Sequence, residues 1–535
     1  MEKWVEPEHR KWTNDARRGR NARMNSPKAP GCQTPARMFH PLRRLRWTAW
    51  LPLLGVFLYA AVLARYTGAC AAGSDSSGYL NNARLLSEAR LTVPMRRVPG
   101  MDPASLPSYT HVPLGFIPNP DRLSMTPTYP MGLPLLVAAT ARMVGWDLAP
   151  ALIMGLHALC GLVVMYLLGR QFGLGPGWAW IGALLLGANS LYLMMSLQLM
   201  SDVPATVWLG AAVLCSLKSG ARWHWAFAAG IALSVAVLVR PTNLLGIVPI
   251  GLALGFSLRR WLLLFFGGLP GAVFLGFVNH TIYGSILTTG YGGFGWMFSP
   301  GYVSSTLLHY GHWLPVLLTP LIALALGLPF LWRRQPVQTS VLAAWSSTLL
   351  VFYMFYSVTH DDWWYLRFIL PAFPPLLLAA LLVASALAAR FKLTWQPGWF
   401  ALATVAILIY AGVCFHHFHV PSAGRNERLY PEMAAWMKTH LPADALVASM
   451  QTSGALLYYT QFAFFRWDQV SPGDFQRIAG ACASARMPIY AALFPFEIEE
   501  DNWAAFRKHL GSGWTQVGAV RYVTIWRYDP SGTAK

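Results

Sequence analysis

The chain has 535 residues, of which 55% are hydrophobic and 12% are charged, and its formal net charge is +19. A soluble domain carries about a quarter charged residues, so this composition excludes an ordinary water-soluble protein. The positive charge does not indicate nucleic-acid binding, because the Lys and Arg residues lie in the N-terminal tail and in short loops between apolar runs. The six cysteines show neither a CxxC pair nor zinc-ligand spacing, so we predict no disulfide framework and no zinc knuckle.

Residues 1–46 are polar and basic and precede the first apolar run, residues 47–66. We predict a cytoplasmic tail followed by an uncleaved signal anchor, since no convincing cleavage site follows; a cleaved signal peptide is the alternative. Apolar runs near the ~20 residues that cross ~30 Å of hydrocarbon recur as far as residue 415. The predicted fold class is therefore mainly α, a polytopic membrane helix bundle of about 11 spans.

Basic residues in five loops indicate the orientation of the bundle. They share the tail's side of the membrane if the short run at residues 130–145, which Pro and Gly interrupt, does not cross. We adopt that topology, which leaves the C-terminal segment outside. The outer regions are then residues 67–149, 198–202, 280–312 and 359–367.

The composition becomes that of a soluble domain near residues 421–426. We therefore predict a transmembrane domain at residues 47–419 and a small extracytoplasmic α/β domain at 420–535, with helices over 429–441 and 502–510. Its predicted strands are 445–450, 463–467, 488–494 and 520–527. A Gly-rich phosphate loop is missing from this sequence, so a nucleotide-binding role is not predicted.

Two acidic residues stand at the outer membrane boundary, each beside a predicted helix. Asp75 begins the first outer loop and Asp202 follows the short second turn. Each carboxylate either caps its helix or works at a membrane cavity, Asp75 as a general base.

Two arginines, Arg240 and Arg367, lie at outer membrane ends, against the positive-inside bias. A guanidinium binds two phosphate oxygens at once, so both are candidate ligands of a lipid-linked phosphate; snorkelling to the interface is the alternative. His360 and Asp361 lie in the same outer turn as Arg367, but without the spacing that fixes a metal site.

Several short motifs follow one another along the chain in a specific order. Asp75 and Tyr79 are followed by Ala83-Arg84, a Tyr-Pro-x-Gly-x-Pro-Leu stretch starts at Tyr129, and Ser201-Asp202 precedes a span. The later motifs are Arg240-Pro241-Thr242, Arg367-x-x-x-Pro371, Ser453-Gly454-Ala455 and Tyr458-Tyr459.

In their order and placement these motifs resemble the GT-C glycosyltransferases of the protein O-mannosyltransferase and aminoarabinose lipid A transferase type. The resemblance implies that Asp75 is the catalytic base and that Asp202 contributes to the same cavity. It implies a polyprenyl-phosphate sugar as donor, with Arg240, Arg367 and Arg84 at its phosphate. The remaining expected cavity residues are Tyr79, Tyr129, His360 and Asp361.

The implied reaction is one inverting displacement at the anomeric carbon, with a glycan, lipid or protein as acceptor on the outer face. The first outer loop reads Asp75-Ser76-Ser77, without the second acid of the D-x-D-like motif of metal-dependent relatives, so we expect no required cofactor and at most a weakly bound divalent metal. The same resemblance places the chain in a bacterial inner membrane.

Other functions remain open at this point. An O-antigen ligase or polymerase would use an oligosaccharide diphosphate lipid, and paired arginines would favour it. A secondary transporter would show an internal repeat, and we find none. A membrane scaffold would make both aspartates dispensable.

Overall fold

The computed structural model describes residues 50–290, 292, 294–392 and 397–529. The predicted basic tail, residues 1–46, lies outside the described residues.

The first half of the chain contains long apolar helices and one segment of short elements, which corresponds to the predicted outer segment. Helix α1 precedes this outer segment, which contains α2, strands β1 to β3 and α3; α4 to α10 follow. The bounds are α1 Trp50–Tyr66, α2 Ser74–Ser87, β1 Val93–Pro94, β2 Phe116–Pro118, β3 Ser124–Pro127, α3 Gly132–Val144, α4 Ala149–Gln171, α5 Pro176–Gly187, α6 Ser190–Ser196, α7 Asp202–Lys218, α8 Trp225–Val239, α9 Ile247–Leu254 and α10 Leu258–Tyr283.

The second half completes the bundle and continues into the C-terminal domain. Three 3-10 helices matter for the architecture, at Pro241–Gly246, Pro320–Leu331 and Trp363–Ala372. The other bounds are α11 Val303–Leu317, α12 Pro336–Met354, α13 Phe373–Arg390, α14 Pro397–His417, α15 Val420–Glu427, α16 Leu429–His440, β4 Leu446–Ala448, α17 Ser453–Tyr459, β5 Ala463–Phe465, α18 Pro472–Ala485, β6 Ile489–Leu493, α19 Pro495–Ile498, α20 Glu500–Leu510, β7 Trp514–Val520 and β8 Val523–Tyr528.

Within the described residues, five helical stretches are long and apolar enough to cross a membrane, and up to seven if each of two bent pairs counts as one span. Four shorter apolar helices accompany them, one of which is α3. The chain is thus an integral membrane protein of mainly helical fold. The count of about 11 spans stays a prediction.

The C-terminal domain contains a five-stranded mixed sheet in the order β5-β4-β6-β8-β7. Strands β5, β4 and β6 are parallel, while β8 and β7 add an antiparallel edge. The four predicted strands and two predicted helices are all present, with ends that differ by a few residues. The sequence interpretation missed α18, which begins with a capping box between Ser471 and Asp474, and the edge strand β7.

The segment of short elements between α1 and α4 packs against the C-terminal domain. Helix α2 contacts α17, and the side chain of Asn81 donates a hydrogen bond of 3.0 Å to the carbonyl of Gly454. The guanidinium of Arg96 donates to the carbonyls of Leu457 and Thr460, near the end of α17. Because these bonds join parts of the chain that are far apart in sequence, the position of α2 depends on the C-terminal domain.

Candidate active site

The four charged residues predicted at the outer boundary lie in one site. Asp75 and Asp202 occupy the first turns of α2 and α7, Arg240 ends α8, and Arg367 lies on the 3-10 helix before α13. The capping interpretation of the two aspartates is wrong. Helix α2 begins after Gly73 and α7 after Ser201, and neither helix has a side-chain cap. Both carboxylates are therefore free to pair with groups on other elements.

Asp75 forms the first ion pair, with Arg367. Its Oδ2 lies 2.8 Å from the Nη1 of Arg367, and its Oδ1 accepts a hydrogen bond of 2.7 Å from the hydroxyl of Tyr129. The Tyr129 hydroxyl also lies 2.7 Å from the Oγ of Ser74. Asp75 is thus held from two sides, by a cation and by a phenol.

A glycine explains how Tyr129 reaches Asp75. A Cβ atom on Gly78 would lie 2.3 Å from a ring carbon of Tyr129, so any side chain there would collide with this ring. The ring of Tyr129 also packs against Tyr79, with the ring centroids 4.9 Å apart. The Asp-x-x-Gly-Tyr spacing at the start of α2 therefore makes room for the phenol that contacts the carboxylate.

Asp202 forms the second ion pair, with Arg240. The Nη2 of Arg240 lies 2.6 Å from the Oδ1 of Asp202, and the two side chains are 12% and 1% exposed. Proline 241 explains the position of Arg240, because a residue before proline disfavours the helical conformation. Arg240 has extended backbone angles (φ −150°, ψ 110°), and α8 ends at the residue before it.

The two ion pairs touch each other. The Nη1 of Arg240 lies 3.4 Å from the backbone carbonyl of Arg367, to which it donates a hydrogen bond. The ring of Phe368 lies 5.7 Å from the guanidinium of Arg240 and 5.2 Å from that of Arg367. Cations close to an aromatic face are attracted by its quadrupole. One aromatic ring therefore orients both guanidinium groups.

The electrostatics of Asp75 favour its charged form. Burial by itself would raise the pKa of its carboxyl, but the guanidinium of Arg367 and the hydrogen bond from Tyr129 outweigh it and hold that pKa below the usual value. Asp75 is therefore ionised at neutral pH, as a proton acceptor must be.

Arg367 also has an unused donor. Its Nε atom is buried and has no hydrogen-bond partner in the part of the chain that the structure describes. A buried N–H group without a partner costs free energy on the order of 1–3 kcal/mol, so it needs a specific reason. An anion held in the plane of the guanidinium would supply the missing acceptor.

The other predicted residues have different surroundings. Tyr79 is buried beside Tyr129, within the site. Arg84 lies further along α2, where its Nη1 donates to the carbonyl of Tyr458 at 2.9 Å and its guanidinium lies over that ring. His360 packs against the ring of Tyr302, and its Nε2 is 3.9 Å from the half-exposed Asp361. None of the described hydrogen bonds joins His360, Asp361 or Arg84 to the two ion pairs.

Sequence reasoning missed two contributors near the ion pairs. The hydroxyl of Tyr353 lies 2.8 Å from that of Thr242, two residues after Arg240. Glu427, at the end of α15, accepts a hydrogen bond from Ser76. Tyr353 lies inside an apolar run and gives no signal in the sequence. Glu427 is one of only 22 acidic residues and stands at the composition change, which was the available signal.

The donor set at this site does not suit a divalent cation. Each of the two carboxylates already has an arginine partner. Among the described residues there is no group of three or more His, Cys, Asp or Glu side chains that could hold a metal. A hard cation such as Mg²⁺ or Ca²⁺ needs several oxygen ligands, which this arrangement does not present.

Sequence comparison finds neither a family model nor a characterised protein that matches this chain. Its structure does have relatives. ArnT from Cupriavidus metallidurans, solved with undecaprenyl phosphate, aligns with a TM-score of 0.55 at 14% identity, over 91% of this chain and 99% of ArnT. The Archaeoglobus fulgidus oligosaccharyltransferase AglB, solved with an inhibitory peptide and a dolichol-phosphate, gives 0.51 at 11% identity, over 91% and 75%.

A third relative is much longer. The mycobacterial arabinofuranosyltransferase AftD aligns with a TM-score of 0.51 at 13% identity, over 90% of this chain and 40% of its own. At such low identities the likeness concerns the fold. The chain described here has the fold of the GT-C glycosyltransferases.

Proposed function

We propose that this protein transfers a sugar from a polyprenyl-phosphate donor to an acceptor hydroxyl or amine on the outer face of the membrane. The observation that carries this proposal is the pair of adjacent ion pairs, in which an ionised aspartate lies beside an arginine with a spare donor. A fold shared with glycosyltransferases supports the reaction class.

Asp75 is the general base of the proposed reaction. It takes the proton of the acceptor as the acceptor oxygen or nitrogen bonds to the anomeric carbon, and the bond from that carbon to the phosphate oxygen breaks. The sugar changes its anomeric configuration in this single displacement. The electron pair leaves with the lipid phosphate, whose charge meets the guanidinium groups of Arg367 and Arg240.

Arg367 has two partners in turn under this proposal. In the described ion pair it neutralises Asp75, which keeps a partly buried carboxylate stable. A donor phosphate takes the Nε–H and part of the positive charge, so Asp75 becomes a better base only when the donor is present. Arg240 keeps its own buried partner, Asp202, and supplies fixed positive charge beside the phosphate.

The proposed enzyme needs no metal, because both carboxylates of the site already pair with arginines. It works in a bacterial inner membrane, with the tail in the cytoplasm and the C-terminal domain outside. The choice of sugar depends on the surroundings of Asp75, where the ring of Tyr129 packs against the buried ring of Tyr79.

The direct test is transfer of radiolabelled sugar from extracted polyprenyl-phosphate donors to membrane acceptors by the purified protein, with and without EDTA. We expect transfer by the wild type in both conditions. Asp75→Asn should lose transfer, and Asp468→Asn is its matched control, because Asp468 also pairs with an arginine but lies in the C-terminal domain. Absence of transfer by the wild type from every monophosphate donor would reject the proposal; transfer from diphosphate-linked oligosaccharides instead would favour the ligase or polymerase.

A further inference from the structure

Glu427 places a third carboxyl group behind the first turn of α2. Its Oε2 accepts a hydrogen bond of 2.7 Å from the Oγ of Ser76, a fully buried residue that follows Asp75 in sequence. The backbone carbonyl of Glu427 accepts a hydrogen bond of 3.2 Å from the thiol of Cys70. The end of α15 therefore holds the loop before α2 and the first turn of α2 together.

No cation balances this carboxyl in the part of the chain that the structure describes. None of the described ion pairs includes Glu427, and the guanidinium of its neighbour Arg428 donates to the carbonyl of Thr67 instead. The titratable groups that face Glu427 are Asp75 on α2, Cys70 before it, Tyr430 on α16 and Tyr522 in the β7–β8 turn. All of them are neutral or negative.

These surroundings favour the protonated form of Glu427. Burial, and to a smaller degree the charge of Asp75, raise its pKa to about 8 against the opposing hydrogen bond from Ser76. The two carboxyls near the first turn of α2 therefore differ: Asp75 has an arginine and is charged, whereas Glu427 has none and is neutral.

We propose that Glu427 is a positioning residue for Asp75: its neutral carboxyl holds Ser76 in place, and loss of its proton disturbs the pair of Asp75 with Arg367. This inference rests on the proposed function. A second negative charge near Asp75 attracts the guanidinium of Arg367, so less of its positive charge is available to the donor phosphate. Transfer should then require the protonated form.

The first experiment is the pH dependence of kcat/KM for Glu427→Gln, with Glu432→Gln as matched control. Glu432 is a more exposed acid one helix away that pairs with Arg521. In the wild type and the control, we expect kcat/KM to fall about tenfold from about pH 7 to about pH 9. A glutamine cannot lose a proton, so this alkaline fall should be absent from Glu427→Gln. An unchanged fall in Glu427→Gln would overturn the proposal.

Ser76→Ala gives a second test that leaves the acid in place. It removes the hydrogen bond to Glu427, so we expect a lower kcat at every pH with the alkaline fall retained. Ser76→Ala also tests the positioning role of Glu427 if Glu427→Gln does not fold, because a kcat equal to that of the wild type would contradict this role.

A spectroscopic readout separates this inference from the proposed function, since it needs no substrate. The infrared spectrum of the wild type should contain a protonated-carboxyl C=O band that titrates above neutral pH and is missing from Glu427→Gln. A wild type with this band but without transfer would reject the proposed reaction, while the protonated state of Glu427 would still be supported. A wild type without the band would overturn the inference.

Discussion

The charged residues of the site and most of those in the C-terminal domain are arranged differently. Two of the described pairs in the C-terminal domain are local: Arg466 contacts Asp468, and Arg477 contacts Asp474 one helical turn away, while a third, exposed pair joins Arg521 to Glu432. In the site, each pair joins two elements, α2 with the 3-10 helix before α13, and α7 with the end of α8.

This difference separates two uses of charge. A local pair stabilises its own turn and needs nothing from the rest of the fold. A pair between distant elements requires the whole bundle to bring its partners together, and here a buried donor of Arg367 has no acceptor among the described residues. Buried charges that the fold brings together despite an unfavourable free energy are candidates for function.

Asp75→Asn gives the largest expected effect and tests most directly whether the two kinds of ion pair differ in function. The amide keeps the shape of the side chain but cannot accept the proton of the acceptor, so transfer should fall by about 10²–10⁴-fold. The measurement is the single-turnover transfer rate at matched protein amounts. Asp468→Asn should change this rate by less than about twofold, because its pair is local. Equal effects of the two variants would remove the distinction.

Asp202→Ala should act mainly through stability. It leaves the buried guanidinium of Arg240 without its partner, which costs about 3–5 kcal/mol. Thermal unfolding in detergent should show a clearly lower midpoint. The double variant Asp202→Ala with Arg240→Met removes both charges and should recover part of the loss. A double variant that is less stable than Asp202→Ala would speak against a buried ion pair here.

Arg367→Lys tests the spare donor. Lysine keeps the charge but lacks the planar fork and the Nε–H, so one charge-assisted hydrogen bond to phosphate, worth about 1.5–3 kcal/mol, should be lost. The expected result is a rise of roughly 10- to 100-fold in the KM for the donor, with a smaller change in kcat. An unchanged KM would place the donor phosphate elsewhere.

Arg84→Ala distinguishes the predicted phosphate-binding role of Arg84 from the structural role that its contacts indicate. The resemblance implies a phosphate ligand, whereas its described contacts are with the carbonyl and ring of Tyr458. If the contacts define its role, stability should fall by about 1–2 kcal/mol and the KM for the donor should not change. A raised KM at unchanged stability would support the phosphate role.

Ser471→Ala gives the smallest expected effect. It removes the capping box at the start of α18, which should cost about 1 kcal/mol without altering transfer. A parallel loss of transfer would show that even local polar contacts of the C-terminal domain affect the site.

The sequence indicated the members of the site but not their partners. Charged residues at the membrane boundary are rare in an apolar chain, so the sequence alone identifies the four members of the site, Asp75, Asp202, Arg240 and Arg367. Which aspartate meets which arginine depends on helix packing, so it could not be read from spacing. Because the sequence does not show these partners, it also allows a helix-cap role for both aspartates, which the structure excludes.

Fold prediction succeeded where hydrophobic pattern decides and failed elsewhere. The apolar runs and the predicted strands of the C-terminal domain are present, but α18 and the mostly exposed edge strand β7 were not predicted. The outer loop expected at residues 280–312 is shorter, because α10 continues to Tyr283 and α11 begins at Val303. Glu427 was missed, since its importance comes from Ser76, 351 residues earlier in the chain.

That separation has a consequence for biosynthesis. The ribosome delivers α2 early, yet the groups that hold it, Glu427 and the carbonyl of Tyr458, are made 351 and 374 residues after their partners Ser76 and Arg84. Contacts so distant form late in folding, because the intervening chain must first be ordered. A nascent chain already inserted into the membrane would therefore carry Asp75 on an unsupported helix until the C-terminal domain folds.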